Sequence, residues 1–262
     1  GFGIKADSFA SYSPYLQNVT TIFMLLFSVN FSIYYLLLLR RFTDVIRDEE
    51  LRAFVLIVLG SIIALVFCVR PLYGTLEETI RHSAFTVSTI ISTTGYATTD
   101  FNLWPAFAKA IVLILMCIGA CAGSTGGGIK VIRVVLLGKI FRRNLHQSQH
   151  PDEISAIRVN DKRIDEQVVR NTTAYLIIYV AIAVISFLLV SLDGFDVETN
   201  LSAVLSTFNN IGPGLGAVGP VSNFAAYSDF SKLVMTFDML AGRLEIYPII
   251  VILSRRTWAK TR

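Results

Sequence analysis

Two short stretches, residues 92–98 and 209–216, constrain this chain most. Each is rich in threonine, asparagine or glycine and lies between apolar runs long enough to cross a bilayer. Irregular backbone of this kind cannot face lipid, where its N–H and C=O groups find no partner; it is tolerated at membrane depth only when buried in protein or lining a water-filled path. The alternative, a pair of surface hairpin loops, leaves the flanking spans too little surface. Residues 92–97 and 209–214 share the pattern polar, polar, x, Gly, x, small. A row of carbonyl oxygens can replace a cation's hydration shell only where successive peptides point the same way, which needs positive φ at intervals. Gly95 and Gly212 are expected to supply it, and Pro213, which lacks only its N–H, keeps its carbonyl. The candidate ion-coordinating positions are Thr93, Thr94, Gly95 and Tyr96 in the first stretch and Asn210, Ile211, Gly212 and Pro213 in the second. The preceding runs, 75–91 and about 199–208, read as half-helices whose C-terminal partial negative charge points at the cation. Thr75 and Glu78 have the spacing of a capping box at the start of the first.

With 53% hydrophobic residues among 262, a net charge of +4 and several long apolar runs, the chain reads as an all-α integral membrane protein. The basic balance is then a topology signal before it is a nucleic-acid signal, and no nucleic-acid partner is expected. About five membrane spans plus the two re-entrant half-helices are predicted: residues 18–39, 53–69, a span opening at Trp104-Pro105, 168–192 and 230–253. Residues 43–52 read as a charged loop. Cys68, Cys117 and Cys121 all lie in apolar runs without metal-ligand spacing. No signal peptide is visible and residue 1 is not Met, so the chain looks like an excerpt or a truncated product. Gly1-Phe2-Gly3 reads as the tail of another stretch of the same kind, with Gly1 equivalent to Gly95 and Gly212.

The third span is interrupted. Gly123, Ser124, Thr125, Gly126, Gly127 and Gly128 precede Lys130, and clustered glycines disfavour helix by about 1 kcal/mol each. Spacing alone leaves two readings open: a loop lining a cavity, or close helix packing through the small-xxx-small series Gly119, Gly123, Gly127. A phosphate loop is excluded, since Lys130 follows Ile129 and no Ser or Thr follows it. Residues 214–219 match G-x-G-x-x-G, but prolines flank them and no βαβ unit surrounds them. Residues 142–170 form a polar connector, either a solvated helix-loop or a docking surface for a soluble partner. The last span carries Lys232, Asp238, Arg243 and Glu245, charges that should face a cavity or one another. Basic residues concentrate in 40–52, 133–170 and 255–262 and are sparse near the two polar stretches, which places those stretches on the outer side and both connectors in the cytoplasm.

Four ordered motifs carry a resemblance over essentially the whole chain: Ser-Thr-Thr-Gly-Tyr at 92–96, Cys-Ala-Gly-Ser-Thr-Gly-Gly-Gly-Ile-Lys at 121–130, Asn-Ile-Gly-Pro-Gly at 210–214 and Gly-Arg-Leu-Glu at 242–245. The sequence resembles the Trk/Ktr/HKT superfamily of potassium transporters, most closely its bacterial TrkH/KtrB-type membrane subunits. The resemblance implies four M1-P-M2 pore-loop repeats around a central pore. Here residues 1–42 would be the end of the second filter and its M2, 43–143 the third repeat with a broken M2, and 144–262 the fourth. It implies that Gly1, Gly95 and Gly212 are selectivity-filter glycines, that residues 123–128 form an intramembrane gate, and that Arg243 faces the pore near that gate. It further implies potassium as the transported ligand with no bound cofactor, a homodimer, a cytoplasmic RCK-type nucleotide-binding regulatory subunit, and the bacterial inner (plasma) membrane. The competing readings are a symporter coupling potassium to sodium or protons, a polytopic nucleotide-binding enzyme, for which no catalytic constellation appears, and an inactive fragment.

Overall fold

The computed structural model describes residue 5, residues 7–150 and residues 156–243. Ten α-helices are seen there: α1 (Pro14–Ser28), α2 (Phe31–Leu38), α3 (Phe42–Arg47), α4 (Glu49–Val69), α5 (Leu76–Ile91), α6 (Ala106–Ile118), α7 (Val131–Gln149), α8 (Glu166–Val190), α9 (Val197–Phe208) and α10 (Asp229–Arg243). The sole sheet among the described residues is a hairpin of β1 (Arg158–Val159) and β2 (Lys162–Arg163). Gly1 and Glu245 lie outside the described residues.

Side-chain caps start most of the long helices. Asp48 accepts from Leu51 N–H (2.8 Å), Thr75 from Glu78 N–H (3.2 Å), Asp165 from Gln167 N–H (3.0 Å) and Asp196 from Thr199 N–H (3.1 Å). Each satisfies one of the donors that a helix N-terminus leaves without an internal partner. Asp48 also explains why residues 43–52 are not the loop expected: α3 ends there, and the cap starts α4 at Glu49.

Polarity is inverted relative to a water-soluble domain. The most apolar long helices, α4 and α8, expose their side chains, with Phe67 at 78% and Ile177 at 65%. The hydroxyl-rich α5 and α9 are buried beyond their first turns over most of their length, including Thr79, Ser83, Thr86, Ser88 and Thr89 in one and Thr199, Ser202, Ser206 and Thr207 in the other. α5 packs against α1, α4 and α6, and α9 against α8, α10 and α6. Apolar outside and polar inside is the arrangement a hydrocarbon solvent favours.

Among the described residues two helices, extended by short 3₁₀ turns to Glu49–Leu72 and Glu166–Asp193, are long and apolar enough to cross a membrane. α6 is shorter at 13 residues. The single span expected over 18–39 is instead the pair α1 and α2, bent by 91°. Of the charges in the last span, Lys232 pairs with Asp229 (3.5 Å), and the fully buried Asp238 accepts from Ser186 Oγ (2.7 Å).

At the head of α9, the hydroxyl of Thr199 first, and then its N–H, hold the Asp196 carboxyl below the usual carboxylate range. A lowered folded pKa gives a contribution that is complete above about pH 4 and is lost as pH falls through the folded value. Asp196→Ala should therefore lower stability by about 1 kcal/mol at pH 7. Asp196→Asn should keep most of the cap while flattening the acid limb of thermal unfolding in detergent. Equal acid sensitivity of wild type and Asp196→Asn would contradict this.

Candidate functional site

The two polar stretches fold alike. At the end of α5, Thr93 N–H bonds Ile90 C=O (3.1 Å) and Thr94 N–H bonds Thr89 C=O (3.0 Å). At the end of α9, Asn210 N–H bonds Thr207 C=O (3.1 Å) and Ile211 N–H bonds Ser206 C=O (2.9 Å). Both are Schellman turns, with Thr93 (φ 56°) and Asn210 (φ 57°) in the left-handed position. Gly95 (φ 81°) and Gly212 (φ 117°) follow two residues later. The sequence pattern located positive φ at the two glycines and missed it at Thr93 and Asn210. Asparagine tolerates this conformation, but for a β-branched threonine it costs about 1–2 kcal/mol. Thr93 is held there by Gly127, whose N–H donates to Thr93 Oγ1 (2.9 Å).

The turns satisfy the last donors of each stretch and leave acceptors over. Thr94 and Gly95 N–H both reach Thr89 C=O, and Gly212 N–H reaches Ser206 Oγ (3.1 Å). Among the described residues, no carbonyl oxygen of residues 93–96 or 210–213 accepts a hydrogen bond. The two stretches also touch: a Cβ on Gly95 would lie 2.1 Å from Ile211 O and 3.2 Å from Pro213 Cδ. Tyr96 turns its ring onto Phe9, with centroids 4.7 Å apart.

Residues 119–130, between α6 and α7, break the helix, so the helix-packing reading of Gly119, Gly123 and Gly127 does not hold; these glycines pack closely as part of a loop. Gly119, Gly123, Gly128 and Lys130 have positive φ. A Cβ on Gly127 would meet Asn209 O at 2.4 Å, and one on Gly126 would meet Ala120 Cβ at 2.5 Å and Ser92 O at 3.2 Å. The loop thus lies against the backbone of both turns.

The same loop supplies the groups that the bend between α1 and α2 leaves without helical partners. Cys121 N–H donates to Ser28 O (3.0 Å), Thr125 N–H to Phe27 O (3.3 Å), and Phe31 N–H to Gly123 O (3.1 Å). Ser124 Oγ closes the loop onto Cys121 O (2.6 Å). Two cations sit on its carbonyls: Lys130 Nζ on Gly126 O, and Arg243 on Thr125 O (3.1 Å). Residues 123–128 and Arg243, over a hundred positions apart in sequence, are thereby brought together as expected. Glu50 was missed. Buried at the head of α4, its Oε1 accepts from Ala122 N–H (2.7 Å) and Ile132 N–H (3.1 Å).

The G-x-G-x-x-G match at 214–219 is a tight turn against α9. Cβ atoms there would strike Ser202 Oγ at 2.9 Å from Gly214, Thr199 Oγ1 at 2.1 Å from Gly216 and Asn102 Nδ2 at 1.8 Å from Gly219. Asn102 clamps this turn by accepting from Gly216 N–H (2.9 Å) and donating to Gly216 O (3.2 Å).

Residues 1–258 match the family model TrkH, described as a cation transport protein. The Trk system potassium uptake protein TrkG of Escherichia coli (strain K12) is 34% identical over 261 residues, covering 98% of this chain and 53% of that protein. The Trk system potassium uptake protein TrkH of Salmonella typhimurium is 32% identical over 249 residues, covering 94% and 51%. Among solved structures, that of the potassium transporter TrkH from Vibrio parahaemolyticus superposes with a TM-score of 0.88 at 30% identity, covering 98% of this chain and 56% of that one. The chain spans about half the length of the curated relatives it matches. It belongs to the TrkH family of cation transport proteins.

Proposed function

We propose that this chain contributes two of the four sides of a potassium-uptake pore in a bacterial inner membrane. The observation that carries the reading is the set of carbonyl oxygens on residues 93–96 and 210–213 that accept no hydrogen bond among the described residues, in two stretches that fold alike and touch. Such oxygens can take over the coordination of a dehydrated monovalent cation. The C-terminal ends of α5 and α9 add partial negative charge at the same place.

In this reading Thr93, Thr94, Gly95 and Tyr96 and their counterparts Asn210, Ile211, Gly212 and Pro213 line the filter, with Gly1 contributing to a third side. The first repeat and the rest of the second, belonging to the half of its relatives that this chain does not match, complete the ring. Five spans and two re-entrant half-helices make up the present part, with filters facing outward. The loop at 123–128 is the gate. Lys130 and Arg243, hydrogen-bonded to its carbonyls, place positive charge there and raise the barrier to cations until the loop rearranges. The relatives are named as proteins of a Trk system. We assign its remaining components here as a second copy of the membrane subunit and a cytoplasmic RCK-type nucleotide-binding ring.

Rubidium uptake into proteoliposomes holding the complete protein tests the pore. Uptake should be blocked by potassium and hardly by sodium; equal block by both ions would remove the filter reading.

The two filter glycines should behave differently. At Gly212 the nearest atom to an added Cβ is Gly95 Cα at 3.9 Å, so Gly212→Ser meets only conformational strain and should fold. Its potassium-over-sodium preference should fall about tenfold, a change of about 1.4 kcal/mol. Gly95→Ser drives a side chain into the Ile211 carbonyl and should abolish folded protein on size exclusion. Equal yields for the two variants would refute the predicted difference.

Deleting residues 122–127 should raise unstimulated flux. Unchanged flux through a folded deletion variant would sink the gate.

A further inference from the structure

Three consecutive acidic residues at the head of α4 each hold something different. Asp48 Oδ2 accepts from Asn160 Nδ2 (2.7 Å). Glu49 accepts from Asn160 N–H (3.1 Å), donates its own N–H to Asn160 Oδ1 (2.8 Å), and pairs with Lys139. Glu50 turns the other way, into the protein, where a single carboxylate oxygen takes the N–H groups of Ala122 and Ile132. Those two residues bracket most of the glycine-rich loop.

The hairpin β1–β2 turns on Asn160 and Asp161, with φ of 50° and 62°, the left-handed pair of a two-residue hairpin loop. Its base is fixed: Val159 is buried in a cluster with Leu136 of α7 and Val169 of α8, and Lys139 donates to Arg158 O (2.5 Å). Its tip and outer strand, Asn160 to Arg163, are exposed. One helical turn therefore joins a solvent-facing hairpin to both ends of the glycine-rich loop. Consecutive residues in a helical turn move together, so displacing the hairpin displaces the carboxylate that holds the loop.

We propose that Asp48, Glu49 and Glu50 form a mechanical link through which movement of the Asn160 hairpin reaches the loop, with Glu50 as the positioning residue for the loop. The functional consequence rests on the gate reading above. The link itself does not, and the two are separable by experiment.

The complete transporter is compared as wild type, Glu50→Gln, Asn160→Gly and the double variant, each carrying Thr125→Cys. Two quantities are read: rubidium flux in proteoliposomes, and the rate at which a membrane-impermeant maleimide labels position 125. Thr125 is exposed and sits in the loop, so its labelling reports loop position whether or not ions pass. Glu50→Gln should raise both quantities about tenfold, the loss of roughly one charge-assisted bond. Asn160→Gly suits the positive φ at that site, so the hairpin stays formed; it should raise labelling severalfold alone and add nothing to Glu50→Gln, the non-additivity expected of one connected path.

Unchanged labelling in Asn160→Gly, or additive effects in the double variant, would overturn the link. Raised labelling without raised flux would uphold the link and remove the gate reading. Unchanged labelling in a protein whose 122–127 deletion conducts would remove the link and leave the gate. Should Glu50→Gln not fold, wild type against Asn160→Gly decides.

Discussion

Every peptide group at membrane depth must find a partner inside the protein, and that constraint arranges this structure. Helices meet it automatically, except where they stop. Here α1 gives way to α2 at residues 29–30, and α6 gives way to a loop at Gly119. Each interruption would leave unpaired donors and acceptors, at about 1–3 kcal/mol for every buried group. They are satisfied against each other, through Cys121 to Ser28, Thr125 to Phe27 and Phe31 to Gly123. Each break thus supplies partners for the other. The glycines follow from this closeness, since Gly119 and Gly128 approach within a distance that leaves no room for a Cβ on either.

The buried half-helices obey the same rule with side chains. Ser88, Thr79 and Thr207 hydroxyls bond carbonyls four residues back, at 2.7 to 2.8 Å, which lets these polar residues enter the interior, whereas the buried Ser83 and Thr89 hydroxyls of α5 have no partner among the described residues. Buried hydroxyls also supply the small volume that lets α5 and α9 be surrounded by three helices each. Once donors are consumed by caps and turns, carbonyls on the two polar stretches are what remains. That surplus of acceptors is the basis of the pore proposed above, and the chain belongs to the TrkH family of cation transport proteins.

What could be read from sequence was local. The cap at Thr75, the stop at Ile91 and the break after Ile118 are written in residues within a turn of where they act, while the cap at Asp196, which starts α9 at Val197, went unread. The 91° bend was not legible, because the apolar run around it is broken only by Ser28, Asn30 and Ser32, and its partner lies some ninety residues on. Glu50 was hidden for a similar reason: in sequence it is one of three acids opening a helix, a pattern that the helix dipole alone accounts for. Only its burial sets it apart from Glu49. The G-x-G-x-x-G match shows the opposite failure, a familiar pattern whose glycines are required by Thr199, Ser202 and Asn102.

The two turns are alike in backbone and unlike in what holds them. Asn210 suits a left-handed φ by itself, and its amide is tied to α10 through Met239 O (3.0 Å). α10 closes on the same turn at Gly242, where a Cβ would overlap Phe208 O at 1.6 Å. Thr93 has no such intrinsic preference. Beyond the backbone bonds of the turn, it is braced by the hydrogen bond from Gly127, a residue of the loop. A loop that moved away would withdraw that bond and leave a β-branched residue in a conformation it disfavours by about 1–2 kcal/mol. The second turn, anchored to α10, meets the loop through the contact of Gly127 with Asn209 O and, through α10, the bond from Arg243 to Thr125 O. The two stretches therefore differ in which part of the protein can disturb them, and the glycine-rich loop bears more directly on the first.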